Sequence, residues 1–308
     1  MDESGIQRRA PHVVGIDAGG TRTRARLADA ATGRTVGEGA GGPGNALSVP
    51  EAALVRHLAE ALRGAGAHRV PVRAVVAGFA GGGPGGGCER ALAALTGAFT
   101  AIGAEPPGRI EVRGDAEVAF AAGPGAPADG LVLIAGTGAT GARVRGRRVV
   151  AAADGDGWLL GDAGSGFWLG REALRAVLRA LDGRGPATAL AEPVGELCGG
   201  LGKERLVGYA YRAHPVRLAE LSPLVVAAAE AGDGVAAGLL DRAADELTGT
   251  VRALRPVAGE PLVVTGGLLG PRGPLLGRLA ERVAELGLRP SPVRDGAGGA
   301  VALARTPG

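Results

Sequence analysis

Apolar and polar residues follow one another along the chain in patterns that predict strands and helices in two similar halves. Residues 13–20 are an apolar run that ends in glycines, and residues 21–30 alternate, with Ala25 and Leu27 facing inward. Together with residues 31–36 they predict a three-strand meander. The other elements predicted in this half are a helix at 50–62, a strand at 71–80, a glycine loop at 81–87 and a helix at 89–102.

The second half repeats this plan. Its strand at 131–138 continues into a hairpin over 141–154. The elements predicted after the hairpin are helices at 172–181, 218–231 and 235–254, a strand at 261–269, a helix at 275–286 and a glycine turn with a short helix over 296–304. Two strand–turn–strand units, each followed by helices, indicate an internal duplication. Such a duplication predicts a cleft between its halves, where ligands often bind.

Length and cysteine content restrict the class of protein. A chain of 308 residues predicts about two domains. It contains no run of about 20 apolar residues that would cross a membrane, and residues 1–11 lack the apolar core of a secretory signal. Two cysteines, Cys88 and Cys198, cannot make a disulfide framework. We therefore expect a cytoplasmic protein that does not bind membranes.

The basic residues do not predict nucleic-acid binding. The net charge is only +3, and the arginines are scattered. The densest group, Arg143, Arg145, Arg147 and Arg148, alternates as the solvated face of a hairpin would. Because 58 residues are glycine, a glycine motif counts as evidence only together with its neighbours.

The first candidate site is the sequence GIDAGGTRTR at 15–24. It places Asp17 at the end of a buried strand, followed after Ala18 by Gly19, Gly20 and Thr21. A turn rich in backbone N–H groups can bind phosphate, and the carboxylate can hold a hydrated Mg²⁺. The alternative is a hairpin in which Asp17 caps its own turn.

Two further glycine turns end strands in the second half, LIAGTGATG at 133–141 and VVTGGLLGP at 263–271. The earlier turn fits the spacing of a dinucleotide-binding fingerprint, but a strand follows it where that fingerprint requires a helix. A Walker A loop is also excluded, because the Gly-Lys pair at 202–203 lacks the earlier glycine and the following Ser or Thr. Nucleotide binding would therefore work without a Walker lysine.

The order of the three turns, with an acid at Asp115 between the first two, resembles the actin/hexokinase/Hsp70 superfamily. Within it, the chain is most similar to the BadF/BadG-type ATPase and N-acetylglucosamine kinase family, from about Val13 to Ala304. In that family the turns are two phosphate loops and an adenosine loop, and 296–304 looks like the helix between the lobes. The most specific part, GDGWLLGDAGSGFWLGR at 155–171, resembles the GD-x-GSG-x-W-[IL]-G segment of the sugar kinases.

The resemblance implies phosphoryl transfer from ATP with Mg²⁺ to a sugar hydroxyl. It implies that Asp115 is the general base, which is typically worth about 10²–10⁴ in rate. It also implies that Asp17 holds magnesium, through water. The residues implied to bind ATP are Gly19, Gly20, Thr21, Gly136, Thr137, Gly138, Gly266 and Gly267. Those implied to bind the sugar are Asn45, Gly81, Asp115, Asp156 and Asp162.

Structural roles compete with these functional ones. Asp115 could be the N-cap of a helix over 116–122, and Asp162 could be a turn acid. Asn45 could cap the helix that follows Pro50. The aromatic residues Trp158, Phe167 and Trp168 are expected to pack in the core and not against substrate.

Two positions depart from the family pattern. Family members often have a tryptophan six residues before the acid of the sugar segment, where this chain has Asp156, and an acid where it has Ala163. A carboxylate beside the 2-substituent would suit the free ammonium of glucosamine better than an acetamide. The cysteines lack the spacing of the iron–sulfur or zinc sites found in related proteins, so we expect them to bind no metal.

These observations predict an α/β protein of two RNase H-like, actin-like ATPase lobes with an interlobe cleft. The predicted N-terminal lobe is 1–116, completed by 290–308, and the C-terminal lobe is 117–289. The predicted function is an ATP-dependent kinase that phosphorylates the 6-hydroxyl of N-acetylglucosamine or glucosamine. The alternative is a BadF-type regulatory ATPase without a sugar substrate. The sequence leaves a homodimer open.

Overall fold

The computed structural model describes residues 12–82, 86–212 and 215–306. The N-terminal residues in which no secretory signal was found, and residues 83–85 of the predicted glycine loop, lie outside the described chain.

Ten strands form two five-stranded sheets in the described chain. They are β1 His12–Ala18, β2 Thr23–Asp29, β3 Thr35–Gly41, β4 Val72–Phe79, β5 Arg109–Gly114, β6 Gly130–Ala135, β7 Ala139–Arg145, β8 Arg148–Asp154, β9 Leu262–Thr265 and β10 Pro290–Pro292.

The described chain also contains eleven α-helices, together with 3₁₀ turns at Ala67–Arg69 and Pro215–Leu221. The helices are α1 Glu51–Gly64, α2 Gly86–Ala101, α3 Asp115–Ala121, α4 Gly157–Leu160, α5 Gly166–Leu181, α6 Ala191–Cys198, α7 Lys203–Arg212, α8 Ser222–Glu230, α9 Gly234–Ala253, α10 Leu276–Ala284 and α11 Ala297–Arg305.

The chain divides into two compact units. The first comprises the residues up to Ala126 together with those from Asp295 onward, and the second is Pro127–Arg294. The predicted boundaries differ: the first cuts α3 after residue 116, and the second assigns residues 290–294 to the N-terminal lobe. The physical reason is packing: α3 shares a buried apolar cluster with α11, whereas β10 pairs with β9 in the second unit.

The first unit is built on a sheet in the order β3-β2-β1-β4-β5. The predicted meander is confirmed, because β2 pairs antiparallel with both β1 and β3, while β4 and β5 extend the sheet in parallel. Alternate residues of β1 face opposite sides, as the pleat of a strand requires. Val14 and Ile16 belong to the cluster formed with α1 and α2, and Val13 belongs to the cluster formed with α3 and α11.

The second unit has the same topology. Its sheet is ordered β10-β9-β6-β7-β8, with β7 antiparallel to β6 and β8, and with β9 and β10 parallel to β6. The two sheets thus correspond strand for strand, in agreement with the predicted duplication. One apolar cluster joins this sheet to its surrounding helices, chiefly α5, α6, α8, α9 and α10.

Several elements differ from their predictions. The helix expected at 218–231 is divided into a 3₁₀ turn and α8, at a point where Pro223 stands in the first turn of α8 and favours a new helix start. Arg143 was expected on a solvated face but is largely buried, where its guanidinium bonds Glu260 at 3.0 Å and the Leu254 carbonyl. The strands β5 and β10 were not predicted, because their sequences, RIEVRG and PSP, contain too few apolar residues to give a pattern.

No single helix within the three described stretches has the length and apolar character of a membrane span. One bent pair, Val216–Glu230 with Gly234–Ala253, meets the criterion by length and composition alone.

Candidate active site

The first set of candidate residues lies at one edge of the first sheet. Strands β1, β4 and β5 are parallel, and their register aligns Ala18 with Phe79 and Phe79 with Gly114. Asp17 and Asp115 therefore stand where the carboxyl ends of neighbouring parallel strands meet, which is the edge where α/β sheets commonly bind ligands.

Asp17 carries a perturbed carboxyl group. Its Oδ2 accepts a hydrogen bond of 2.9 Å from the Gly296 N–H, just before α11. Burial raises the pKa of Asp17 from 3.8 to about 6. The hydrogen bond from Gly296 and the charge of Arg24 oppose this rise, and the charges of Asp115 and Asp295 add to it. Asp17 thus lies close enough to Asp115, the predicted general base, for the two charges to interact.

Asp115 is the first residue of α3, and the N-cap is Gly114. The Asp115 carboxylate accepts a hydrogen bond of 2.9 Å from the Ala116 N–H. Burial raises the pKa of Asp115, partly offset by that hydrogen bond. Asp115 is therefore not the N-cap of α3, which is Gly114. Its side chain lies in the first turn of the helix and accepts the Ala116 N–H.

Asp295 is a third acid at this edge, and it was not among the predicted site residues. It is 7% exposed, lies directly before the glycine turn of α11, and forms long ion pairs with Arg24 at 3.9 Å and Arg26 at 3.7 Å. The signal available in the sequence was an acid immediately preceding a glycine turn, the same combination that drew attention to Asp17.

Asn45 and Gly81 are neighbours. Backbone bonds hold their loops against the ends of the central strands: the Gly44 N–H donates to the Gly19 carbonyl and the Ala46 N–H to the Ala80 carbonyl, both at 2.9 Å. Asn45 Oδ1 accepts from the N–H groups of Leu47 and Ser48, so the side chain caps a turn. It does not cap the helix after Pro50, as the structural alternative expected, because the N-cap of α1 is Pro50 itself. A Cβ on Gly81 would lie 3.1 Å from Asn45 Oδ1.

The first sheet edge fits a magnesium ion held mainly by water and phosphate. Within residues 12–82, 86–212 and 215–306, no group of three or more His, Cys, Asp or Glu side chains could hold a metal by itself. Mg²⁺ in phosphate sites usually keeps several waters and takes only one or two carboxylates. Burial, together with the smaller effect of the charges of Asp115 and Asp295, raises the pKa of Asp17, so a cation there would stabilise its ionised carboxylate.

The second and third glycine turns lie side by side at the carboxyl ends of β6 and β9, which pair in parallel with Ile134 opposite Thr265. The Leu268 N–H donates to the Ala135 carbonyl at 3.0 Å and so joins the two turns. Gly266 has φ +98°, and a Cβ there would lie 2.1 Å from the Ala135 oxygen. This close approach requires glycine.

Open space adjoins one glycine in each of the three turns. A Cβ built on Gly20, Gly136 or Gly267 would meet no described atom within 4 Å. At these points a ligand can approach the backbone. The second turn is also tied to α5, because the N–H groups of Gly166 and Phe167 donate to the carbonyls of Gly136 and Thr137 at 2.8 and 3.0 Å.

Asp162 lies beside the second glycine turn. Its Oδ1 accepts a hydrogen bond of 2.9 Å from the Ala139 N–H. Burial raises the pKa of Asp162, opposed by that hydrogen bond and reinforced by the charges of Asp154 and Asp156. The structure thus brings together Asp156 and Asp162, two of the predicted sugar residues. It also places Asp154, which was not a predicted site residue, beside them.

The aromatic residues of the 155–171 segment separate into two groups. Phe167 and Trp168 are buried in the core, as expected. Trp158 is 38% exposed, so its assignment to the core is wrong. Its ring makes a T-shaped contact with Phe167, with ring centroids 6.1 Å apart. The short α4 that carries it also exposes Leu159 and Leu160, because four residues cannot bury a full apolar face.

Two duplicated units with this topology, each bearing glycine turns at the carboxyl edge of its sheet, define the actin-like ATPase fold. Comparison with known proteins agrees. A Chromobacterium violaceum protein assigned as an N-acetylglucosamine kinase has a structure that superposes with a TM-score of 0.75 at 27% identity, covering 95% of this chain and 98% of that one.

The family model of the BadF/BadG/BcrA/BcrD ATPase family matches residues 14–304, and the chain belongs to this family. An N-acetyl-D-glucosamine kinase of Dictyostelium discoideum is 33% identical over 183 residues, which are 56% of this chain and 57% of that protein. An N-acetylmuramic acid/N-acetylglucosamine kinase of Clostridium acetobutylicum is 35% identical over 48% of each chain. The matched region thus spans about half the length of these curated relatives.

Proposed function

We propose that this protein is an ATP-dependent amino-sugar kinase that transfers the γ-phosphoryl group of ATP to the 6-hydroxyl of N-acetylglucosamine or glucosamine. The observation that carries the proposal is the placement of Asp17 and Asp115 at one sheet edge, close enough for the charge of Asp115 to raise the pKa of Asp17. Sequence similarity to N-acetylglucosamine kinases supports the same substrate class.

In this proposal Asp115 is the general base. The 6-hydroxyl loses its proton to the Asp115 carboxylate as the hydroxyl oxygen forms a bond to the γ-phosphorus, and the bond from phosphorus to the bridging oxygen breaks to leave ADP. Because burial raises the pKa of Asp115, its carboxylate accepts a proton more readily than an exposed aspartate would. The remaining rate enhancement would come from alignment of the two substrates.

The ATP contacts follow from the three turns. Asp17 would hold Mg²⁺ through water, and the ion would neutralise phosphate charge. The backbone at Gly19, Gly20 and Thr21, and at Gly136, Thr137 and Gly138, would bind phosphates. Gly266 and Gly267 would let the main chain approach the adenosine, as the open space beside Gly267 allows.

The residues proposed to bind the sugar are Asn45, Gly81, Asp115, Asp156 and Asp162. Asn45 already uses its Oδ1 to cap a turn, which leaves the side-chain NH₂ group to donate to a sugar oxygen. Gly81 would allow the sugar to lie against the backbone beside it. Asp156 and Asp162 would accept hydrogen bonds from the amino substituent and from hydroxyl groups.

The deciding experiment is an assay of ADP release with a panel of hexoses and hexosamines, together with a reaction that contains no sugar. We expect ADP release to depend on an amino sugar and to be matched by formation of its 6-phosphate. ADP release that is the same with and without every sugar would contradict the proposal and favour a regulatory ATPase. Sedimentation of the same preparation would test for the homodimer that the sequence leaves open.

A further inference from the structure

The Asp154 carboxylate accepts hydrogen bonds from both ends of the loop at residues 155–163. Asp154 is the last residue of β8, and its Oδ1 accepts hydrogen bonds of 2.7 Å from the N–H groups of Gly155 and Asp162. Its Oδ2 accepts a third, of 2.9 Å, from the Ala163 N–H. We call residues 155–163 the Asp154 loop, since one carboxylate closes it at its first residue and again at its last two.

The Asp154 loop holds an unusual backbone conformation. Asp154 and Asp162 both have left-handed φ angles, of 60° and 57°, although neither is glycine. Such conformations are costly for residues with a Cβ and persist where surrounding contacts fix them. The three N–H donors to Asp154 are contacts of that kind, so its carboxylate is the group that fixes Asp162 in place.

Asp162 links the Asp154 loop to the second glycine turn through hydrogen bonds. Its backbone N–H is held by Asp154, while its Oδ1 accepts the Ala139 N–H at 2.9 Å. A Cβ on Gly138 would lie 2.6 Å from the same Oδ1, so the side chain packs directly on the turn. A continuous series of hydrogen bonds therefore runs from Asp154 through Asp162 to the turn that ends β6.

We propose that Asp154 is a positioning residue that fixes Asp162 and, through it, the second glycine turn, and so couples sugar binding to ATP binding. The inference rests on the proposed function. A sugar hydroxyl that donates to Asp162 would share the carboxylate that Ala139 already uses. The position of the turn would then depend on whether sugar is bound, and the coupling would be reciprocal: each substrate changes the affinity for the other by the same factor.

The test uses Asp154→Ala, which removes all three bonds, and Asp154→Asn, which keeps one acceptor oxygen. For each variant, the KM of the preferred amino sugar and kcat are measured, together with the Kd of a non-hydrolysable ATP analogue with and without saturating sugar. We expect Asp154→Ala to raise the sugar KM at least about tenfold and to bring the ratio of the two Kd values to about one. Asp154→Asn should change the sugar KM and the Kd ratio less than Asp154→Ala does. In both variants kcat at saturating sugar should change less than KM.

Asp233 offers a matched control in the same unit. Its carboxylate also accepts three hydrogen bonds, from the N–H groups of Ala189 and Ala236 and from the Thr188 hydroxyl. Asp233 differs from Asp154 in that it is the N-cap of α9. Asp233→Ala should lower the melting temperature and leave the sugar KM and the Kd ratio unchanged. If Asp233→Ala alters the sugar KM and the Kd ratio as much as Asp154→Ala does, Asp154 acts only through general stability and the inference fails.

A measurement without substrates separates this inference from the proposed function. Amide hydrogen exchange should accelerate in Asp154→Ala at Asp162 and Ala163, which lose their acceptor, and also at Ala139, which keeps its own. Unchanged exchange at Ala139 would overturn the inference even if the protein phosphorylates amino sugars. Absence of sugar turnover in the wild type would overturn the proposed function, and exchange at Ala139 would then decide whether Asp154 fixes the turn.

Discussion

Asp17 and Gly296 are separated by 279 positions in the sequence, yet the Gly296 N–H donates a hydrogen bond of 2.9 Å to Asp17 Oδ2. The bond joins the end of β1 to the start of α11. Close packing supports it, because a Cβ on Gly15 would lie 2.3 Å from the Ala297 carbonyl oxygen. The acid of the first glycine turn is thus oriented by the last helix of the described chain.

Asp17→Asn should stabilise the protein at neutral pH and have little effect near pH 4. The pKa of Asp17 is raised to about 6 from 3.8, so the folded protein holds this proton more tightly than the unfolded chain does. The stability linked to that proton is complete below about pH 4 and is lost as pH rises through about 6. Its size is at most about 3 kcal/mol.

Thermal unfolding of wild type and Asp17→Asn at a series of pH values between 4 and 8, without nucleotide or magnesium, measures this effect. The difference in melting temperature should grow as pH rises. A difference that is constant across the series would show that the carboxyl group does not titrate in this window. With ATP and magnesium present, the same variant should lose most kinase activity, because the neutral amide holds the cation poorly.

Asp115→Asn should lower kcat for sugar phosphorylation by about 10²-fold or more while leaving ATP affinity within about twofold. The amide has nearly the shape of the carboxylate but cannot accept the hydroxyl proton. The control is Asp29→Asn, a turn acid of the same unit that accepts the Thr32 N–H at 2.8 Å. Near-normal turnover in Asp115→Asn would remove this residue from the chemistry.

The third glycine turn allows two neighbouring glycines to be compared. Gly266→Ala should destabilise the protein by about 1–3 kcal/mol or more, because φ is +98° and the new Cβ would collide with the Ala135 oxygen. Gly267→Ala should fold with an unchanged melting temperature, since its Cβ would point into open space. If that space receives adenosine, Gly267→Ala should still weaken ATP binding, as titration calorimetry would measure. Equal ATP affinity in Gly267→Ala and wild type would place the nucleotide elsewhere.

Asp156 is expected to influence the choice between amino sugars. Its charge contributes to the raised pKa of Asp162, which places it beside the predicted sugar residues. Asp156→Asn should reduce kcat/KM for glucosamine about fivefold relative to N-acetylglucosamine, corresponding to about 1 kcal/mol for a partly exposed charge pair. Asp129→Asn, a turn acid of the same unit that accepts the Gly146 N–H at 2.8 Å, is the control. A strong wild-type preference for the acetylated sugar that is unchanged in Asp156→Asn would contradict this role.

The duplicated architecture could be predicted from the sequence because it rests on strong local signals. The apolar run of β1 and the alternation of β2 define the meander, and glycine turns mark the ends of β1, β6 and β9. The position of Asp17 beside Asp115 followed from similarity to a known family together with the parallel order of β1, β4 and β5, which no local pattern reveals.

Residues that act through backbone contacts could not be found in this way. In the sequence, Asp154 is simply a polar residue at the end of a hairpin strand. Only the folded loop shows that the N–H groups of Gly155, Asp162 and Ala163 all donate to it. Arg143 alternates with apolar neighbours as an exposed residue would, but its partner Glu260 lies 117 positions away. In both cases the deciding interaction depends on tertiary structure, whereas sequence periodicity reports only which side of a strand a residue faces.

The placement of α11 has a consequence for biosynthesis. Val301 and Ala304 fill an apolar cluster with Val13 on β1 and Val118 on α3, so the unit that contains β1 lacks part of its interior until residues 297–305 have been made. The intervening unit, Pro127–Arg294, is continuous in sequence and has its own interior. On the ribosome the unit Pro127–Arg294 can therefore reach its native packing first, whereas the unit that contains β1 completes its interior only after α11 has been translated.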